Sequence, residues 1–171
     1  MVKENIIFDF DGTLQSNVFS ELSYGEYLTI PFEEKVGRIK NSGYYESAKI
    51  IMNELKGKYN IYIVTGRSED LREVSEEWLN KYNFIYDELI MIPEEWKTID
   101  EYYTFKIKEV NNIKPIIVID DSIVFLGKVI AFSFKVGNPI GVFYIRNEKS
   151  WNFKFLKNII NNIKEERNRS K

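Results

Sequence analysis

Four short runs of the chain are apolar almost without interruption: 5–8 (NIIF), 61–64 (IYIV), 115–119 (PIIVI) and 141–145 (GVFYI), with a weaker fifth at 89–92 (LIMI). They are rich in β-branched and aromatic residues and do not alternate with polar ones. A strand of this kind is buried on both faces, which is the condition of a parallel sheet. Between the runs, apolar residues recur at spacings of three and four. The stretch 45–56 places Ala48, Ile51, Met52 and Leu55 on one helical face, and 69–82 does the same with Leu71, Val74, Trp78 and Leu79. Ser68 is placed to cap the second of these, with Glu69 and Asp70 in its first turn. Residues 99–110 and about 152–167 repeat the pattern. Strands alternating with helices predict an α/β fold with right-handed crossovers.

One segment breaks the rhythm. Residues 11–43 read as loop, with glycine and with aromatics in or beside them: Phe19, Tyr24, Tyr27, Phe32, Tyr44 and Tyr45. These rings either stack on a base or aryl group or form a small core that pins the segment down; the second is the reading preferred here. Trp78 and Trp96 read as packing residues. The tail 164–171, mixed in charge, reads as a frayed end.

Composition narrows the chemistry. The 171 residues contain no cysteine and no histidine. Thiolate chemistry, disulfides, the Ser-His-Asp triad and histidine-bound zinc are thereby excluded. Catalysis must rest on carboxylates, hydroxyls, lysine, arginine or a metal held by oxygen. Lys and Arg number 24 against 26 Asp and Glu, a balance that gives no support for a nucleic-acid-binding face. The opening MVKENIIFDFDG turns charged before any long apolar run, unlike a signal peptide. No apolar stretch is long enough to span a bilayer. A cytoplasmic, single-domain protein without membrane contact is expected; oligomeric state is open.

In open α/β sheets, ligands bind beyond the carboxyl ends of the strands. The first run is followed by Asp9, Phe10, Asp11, Gly12 and Thr13, the second by Thr65, Gly66 and Arg67, and 115–119 by Asp120, Asp121 and Ser122. Parallel strands bring these groups to one edge. Carboxylates crowded there raise one another's pKa, and a bound cation relieves the repulsion. With oxygen donors alone, a hard cation such as Mg2+ is favoured, which points to phosphoryl transfer.

DFDGT at 9–13, IYIVTGR at 61–67, a lysine ahead of the fourth strand, and VIDDS at 118–122 together resemble the four signatures of the haloacid-dehalogenase (HAD) superfamily. The resemblance runs from about residue 5 to 145. It implies a Rossmann-like three-layer sandwich around a central parallel sheet, with a minimal cap or flap at about 15–43. It further implies Asp9 as a nucleophile forming an aspartyl-phosphate, and Asp11 as general acid and base. Gly12 would permit the backbone exit, while Thr65, with Thr13, Gly66 and Arg67, would bind phosphate or substrate. Arg67 is equally well read as structural. Asp9, Asp121 and the Asp11 carbonyl would ligate Mg2+, with Asp120 as a further or water-mediated ligand. Lys106 is chosen as the phosphate-site lysine over Lys108 and Lys97.

Taken singly, Asp11-Gly12 could be a mere turn, Thr65-Gly66 a connection and Asp120-Asp121 a helix cap. The short insert implies an open site. The resulting expectation is a Mg2+-dependent phosphatase acting on nucleotides or similar small phosphates. Its alternatives are a 3′-phosphatase for nucleic-acid ends, a phosphotransferase using the same residues, and a non-catalytic binding module; the stretch 64–90 bears a weak resemblance to small nucleotidase-like members and to the phosphatase part of polynucleotide kinase enzymes. No kinase P-loop motif is present.

Overall fold

The computed structural model describes all residues except Met1, Val2, Asn17, Ser20, Glu21, Ser23, Glu95, Ser170 and Lys171, and of Tyr24 the backbone alone. Its strands are β1 (Glu4–Phe8), β2 (Tyr59–Ser68), β3 (Glu88–Ile92), β4 (Ile117–Asp120) and β5 (Gly141–Tyr144). They form one parallel sheet in the order β3-β2-β1-β4-β5. The helices are α1 (Tyr24–Thr29), α2 (Phe32–Asn41), α3 (Glu46–Lys56), α4 (Arg72–Lys81), α5 (Ile99–Ile113), α6 (Ile123–Val136) and α7 (Phe153–Arg169).

The uninterrupted apolar runs have a direct cause. Ile6 and Phe8 of β1 enter one core, with Ala48 and Met52 of α3, Val74 and Trp78 of α4 and Leu156 of α7. Ile7, on the opposite face, enters a second core with Val110 of α5 and Phe125 of α6. Each central strand is thus covered by helices on both sides, giving the three layers of the α/β sandwich. Since β1 lies between β2 and β4, the residues that follow these three strands share one edge. The ladder continues into that edge, where the Asp9 N–H donates to the Ile119 carbonyl at 2.9 Å.

Several expectations are corrected. The segment 11–43 is not a loop, because it carries α1 and α2. In α2 the acidic pair Glu33 and Glu34 opens the helix and Arg38 and Lys40 close it, matching the helix dipole. Phe32, Val36 and Ile39 sit at helical spacing, but only Ile39 is fully buried, so the periodic signal is thin. Helix α6 escaped because it is apolar all round, leaving no contrast to read: Phe125 and Val129 are buried while Phe134 is 83% exposed. Ser68 makes no side-chain cap hydrogen bond; it ends β2 instead. The tail is helical through Arg169 and tied to the sheet, with Arg167 donating to the Pro139 and Pro115 carbonyls and Lys164 to the Tyr59 hydroxyl. Among the described residues no helix is long and apolar enough to cross a membrane.

Candidate active site

The three central strand ends and α5 converge on one buried cluster. Lys106, on α5, is wholly buried, and its Nζ lies 2.7 Å from Asp9 Oδ1 and 2.6 Å from Asp120 Oδ2. Lys97 and Lys108 are exposed. Asp120 uses its other oxygen to accept from the Ser122 N–H at 2.7 Å. Ser122, not the aspartate pair, is the N-cap of α6, accepting from Phe125 N–H. Burial works against the charge on Lys106, but Asp120 and Asp9 outweigh it and hold the ammonium well above its ordinary value. Burial likewise holds the Asp9 carboxyl well above the usual carboxylate range; Lys106 opposes this, and Asp120 and Asp121 add to it. Asp121 is pushed up to about 7 by loss of hydration and by Asp120, with Lys106 opposing and Asp11 adding.

The charge count explains these directions. One ammonium faces three carboxylates, whose ligand atoms lie within 4.8 Å of one another at Asp9, Asp120 and Asp121. Such a surplus of hard oxygen donors fits a divalent cation, and these residues could hold one.

Asp11 is oriented differently. Its carboxylate accepts two hydrogen bonds from Arg67, from Nε at 2.9 Å and from Nη2 at 2.6 Å. The guanidinium is 1% exposed, lies over the Phe10 ring at 3.9 Å, and donates also to Ser75 Oγ and to Gln15 Oε1. Arg67 is thus held in the interior by four side chains, one of them Asp11. Gln15, buried between Arg67 and the Ile39 carbonyl, was not anticipated. A lone glutamine in a loop carries no periodic or motif signal.

Backbone shape completes the edge. Gly12 has φ +76°, and a Cβ there would stand 2.0 Å from an Asp121 carboxylate oxygen. At Gly66 a Cβ would meet the Tyr102 ring at 2.1 Å. Thr65 accepts from the Arg67 N–H at 3.2 Å, which leaves its own hydroxyl proton to donate. Thr13 is fully buried and is not among the cavity's lining residues; its hydroxyl has no hydrogen-bond partner among the described residues.

A cavity of about 310 Å³ opens over this floor, bordered by Asp9, Asp11, Gly12, Thr65, Gly66, Arg67 and Asp121. Its other border is aromatic and includes Trp96, whose indole N–H donates to the Gly66 carbonyl at 2.8 Å. Trp96 is thus more than a packing residue. Phe19 and Tyr27 of the insert also lie on this border while packing edge to face against each other at 5.1 Å. They are both cavity wall and small core.

No protein-family model and no curated protein sequence matches the chain. Solved structures do resemble it. The HAD domain of the effector protein Lem4 from Legionella pneumophila aligns with a TM-score of 0.56 at 18% identity, over 96% of this chain and 97% of that one. A chain of the Pnkp1/Rnl/Hen1 RNA repair complex aligns with a TM-score of 0.59 at 19% identity, over 84% of this chain. The match spans only 42% of that longer chain. The fold is HAD-like.

Proposed function

We propose that this HAD-fold chain is a Mg2+-dependent phosphatase, hydrolysing phosphomonoesters of nucleotides or similar small molecules through an aspartyl-phosphate at Asp9. The observation that carries the reading is Lys106: a fully buried ammonium bridges Asp9 and Asp120 directly under a cavity onto which Asp11 and Asp121 also open. With Asp9 Oδ1 held by Lys106, a carboxylate oxygen attacks phosphorus as the bond to the leaving oxygen breaks. Asp11 gives the leaving oxygen its proton. Asp11, now a carboxylate, takes a proton from water, whose oxygen attacks phosphorus and restores Asp9 as phosphate departs. The Thr65 hydroxyl donates to a phosphoryl oxygen. Asp9, Asp121 and the Asp11 carbonyl, with Asp120 as a further or water-mediated ligand, would hold Mg2+, which when bound would supply positive charge to the phosphoryl oxygens.

Phosphate release from p-nitrophenyl phosphate in magnesium chloride is expected to fall roughly 10³-fold or more in Asp9→Asn, and to stop in EDTA. Activity that survives both, in protein freed of contaminating phosphatase, would refute the mechanism.

The cation has a second signature. With Asp121 near 7 and Asp9 also raised, the folded chain holds protons that the unfolded chain, with carboxyls near 3.8, has released. Without metal, the contribution of these two carboxyls to stability therefore falls as pH rises from about 4 to about 7. A cation replaces those protons. The rise in melting temperature on adding magnesium chloride should be larger at about pH 8 than at about pH 5. Equal shifts at both values would count against this cluster as the cation site.

A nucleic-acid end as substrate draws support from the likeness to a chain of an RNA repair complex. The cavity offers it little, since Arg67 is the sole cation among the described residues that line it.

A further inference from the structure

We propose that the substrate is a monophosphate ester whose leaving group carries a planar ring; this rests on the phosphatase reading above and narrows it. The cavity has two unlike halves. Carboxylates, Thr65 and Gly66 make the floor, while Phe19, Tyr27, Trp96, Tyr102 and Tyr103 contribute an aromatic wall. The five rings touch in sequence. Phe19 meets Tyr27 edge-on at 5.1 Å, and Tyr27 stacks on Trp96 at 5.7 Å and 8°. Trp96 tilts onto Tyr102 at 5.3 Å, and Tyr102 meets Tyr103 at 5.1 Å. None of the five is fully buried, so ring surface remains for a ligand.

The wall is fixed to the phosphate end of the cavity. The Trp96 indole is bonded to the Gly66 carbonyl, one residue from Thr65. The Tyr102 ring lies against Gly66 so closely that no side chain fits between, and its hydroxyl is 3.3 Å from Lys106 Nζ. A phosphate on the floor therefore places the first atoms of its leaving group against aromatic faces. Rings prefer such offset or edge-on neighbours to water.

Charge sets the other half of the specificity. Arg67, the sole cation among the described lining residues, has its guanidinium committed to Asp11. Among the described lining residues a second phosphate would find carboxylates and rings and no further cation. The cavity volume, about 310 Å³, stands at the lower end of small-ligand sites and suits one phosphate with one ring system.

The test uses benzylphosphonate and propylphosphonate, which differ in the ring and cannot be hydrolysed at phosphorus–carbon. Titrated calorimetrically into the chain in magnesium chloride, benzylphosphonate is expected to bind about tenfold more tightly, the size of effect stacking gives. Tyr27→Leu and Trp96→Leu should each bring the ratio toward one, since leucine fills space without offering a flat face. Equal binding, binding of neither, or a ratio that both substitutions leave intact overturns the proposal. Turnover of benzyl phosphate against propyl phosphate separates the two readings. Equal hydrolysis overturns the ring site and leaves the phosphatase standing. A binding preference with no magnesium-dependent hydrolysis overturns the phosphatase and keeps the ring site. Adenosine 5′-monophosphate against ribose 5-phosphate then shows whether a ring one sugar away is also accepted.

Discussion

Lys106→Met is expected to cost about 3–5 kcal/mol of folding stability and to abolish phosphate release, because it strands buried carboxylates without their counter-charge. Methionine matches the length and flexibility of the lysine stem, so packing against Phe125 and Tyr102 is largely kept and the loss reports charge. Asp9 and Asp120 each lie within 2.7 Å of the ammonium, and the side chains of all three are almost wholly buried. The deficit should depend on pH with a definite sign. Removing the cation raises the proton affinity of Asp9 in the fold, where Lys106 opposes the effect of burial, but not in the unfolded chain. The deficit is therefore greatest where the unfolded carboxyl is ionised and shrinks as acid protonates Asp9 in the fold. Urea denaturation in EDTA at about pH 8 and about pH 5 measures it. A deficit below about 1 kcal/mol at the higher pH would mean that the carboxylates reach water, and the cluster would lose its claim to an enforced charge surplus.

Arg67→Lys is expected to lower turnover by roughly 10²-fold on alkyl phosphates and far less on p-nitrophenyl phosphate. The reason lies in how Asp11 is held. A general acid must carry a proton and aim it at the leaving oxygen, yet Asp11 is clasped by two N–H donors of a planar, buried guanidinium. Asp11 must leave that clasp to act, and Arg67 sets where it starts and where it returns. Lysine keeps a positive charge but cannot present two parallel donors. Esters with poor leaving groups need the proton from Asp11, whereas p-nitrophenolate departs without it. That split between substrates is a readout a merely structural residue would not produce. The substitution also leaves Gln15 and Ser75 short of partners in a buried site, at a stability cost of about 1–3 kcal/mol that thermal melting should register. Equal losses on both ester types would assign Arg67 to scaffolding alone.

Much of this arrangement can be read from the order of residues. NIIF, IYIV and PIIVI are apolar on both sides of the chain, and a strand of that kind has no stable place except between two helical layers. The residues directly beyond such strands must share one edge of a parallel sheet, so the order of residues alone places Asp9, Thr65 and Asp120 together. The absence of histidine and cysteine leaves oxygen chemistry as the sole metal-binding option. Contrast between apolar and polar positions is what makes a helix legible, and where contrast failed the reading failed too: α2 is mostly polar and α6 mostly apolar. The sequence favours Lys106 over Lys108 and Lys97 by its place on the helix before β4, and packing draws Lys106 inside between two carboxylates while leaving the other two in solvent. It could suggest aromatic residues in the insert, yet not that Tyr27 would stack on Trp96, 69 positions away, to form one wall of a cavity whose floor holds Asp9. Local composition determines which strands and helices form and what chemistry their ends can offer. The direction in which Asp11, Arg67 and the rings point depends on long-range contacts, and those exist only once the sheet and its two helical layers have closed on one another.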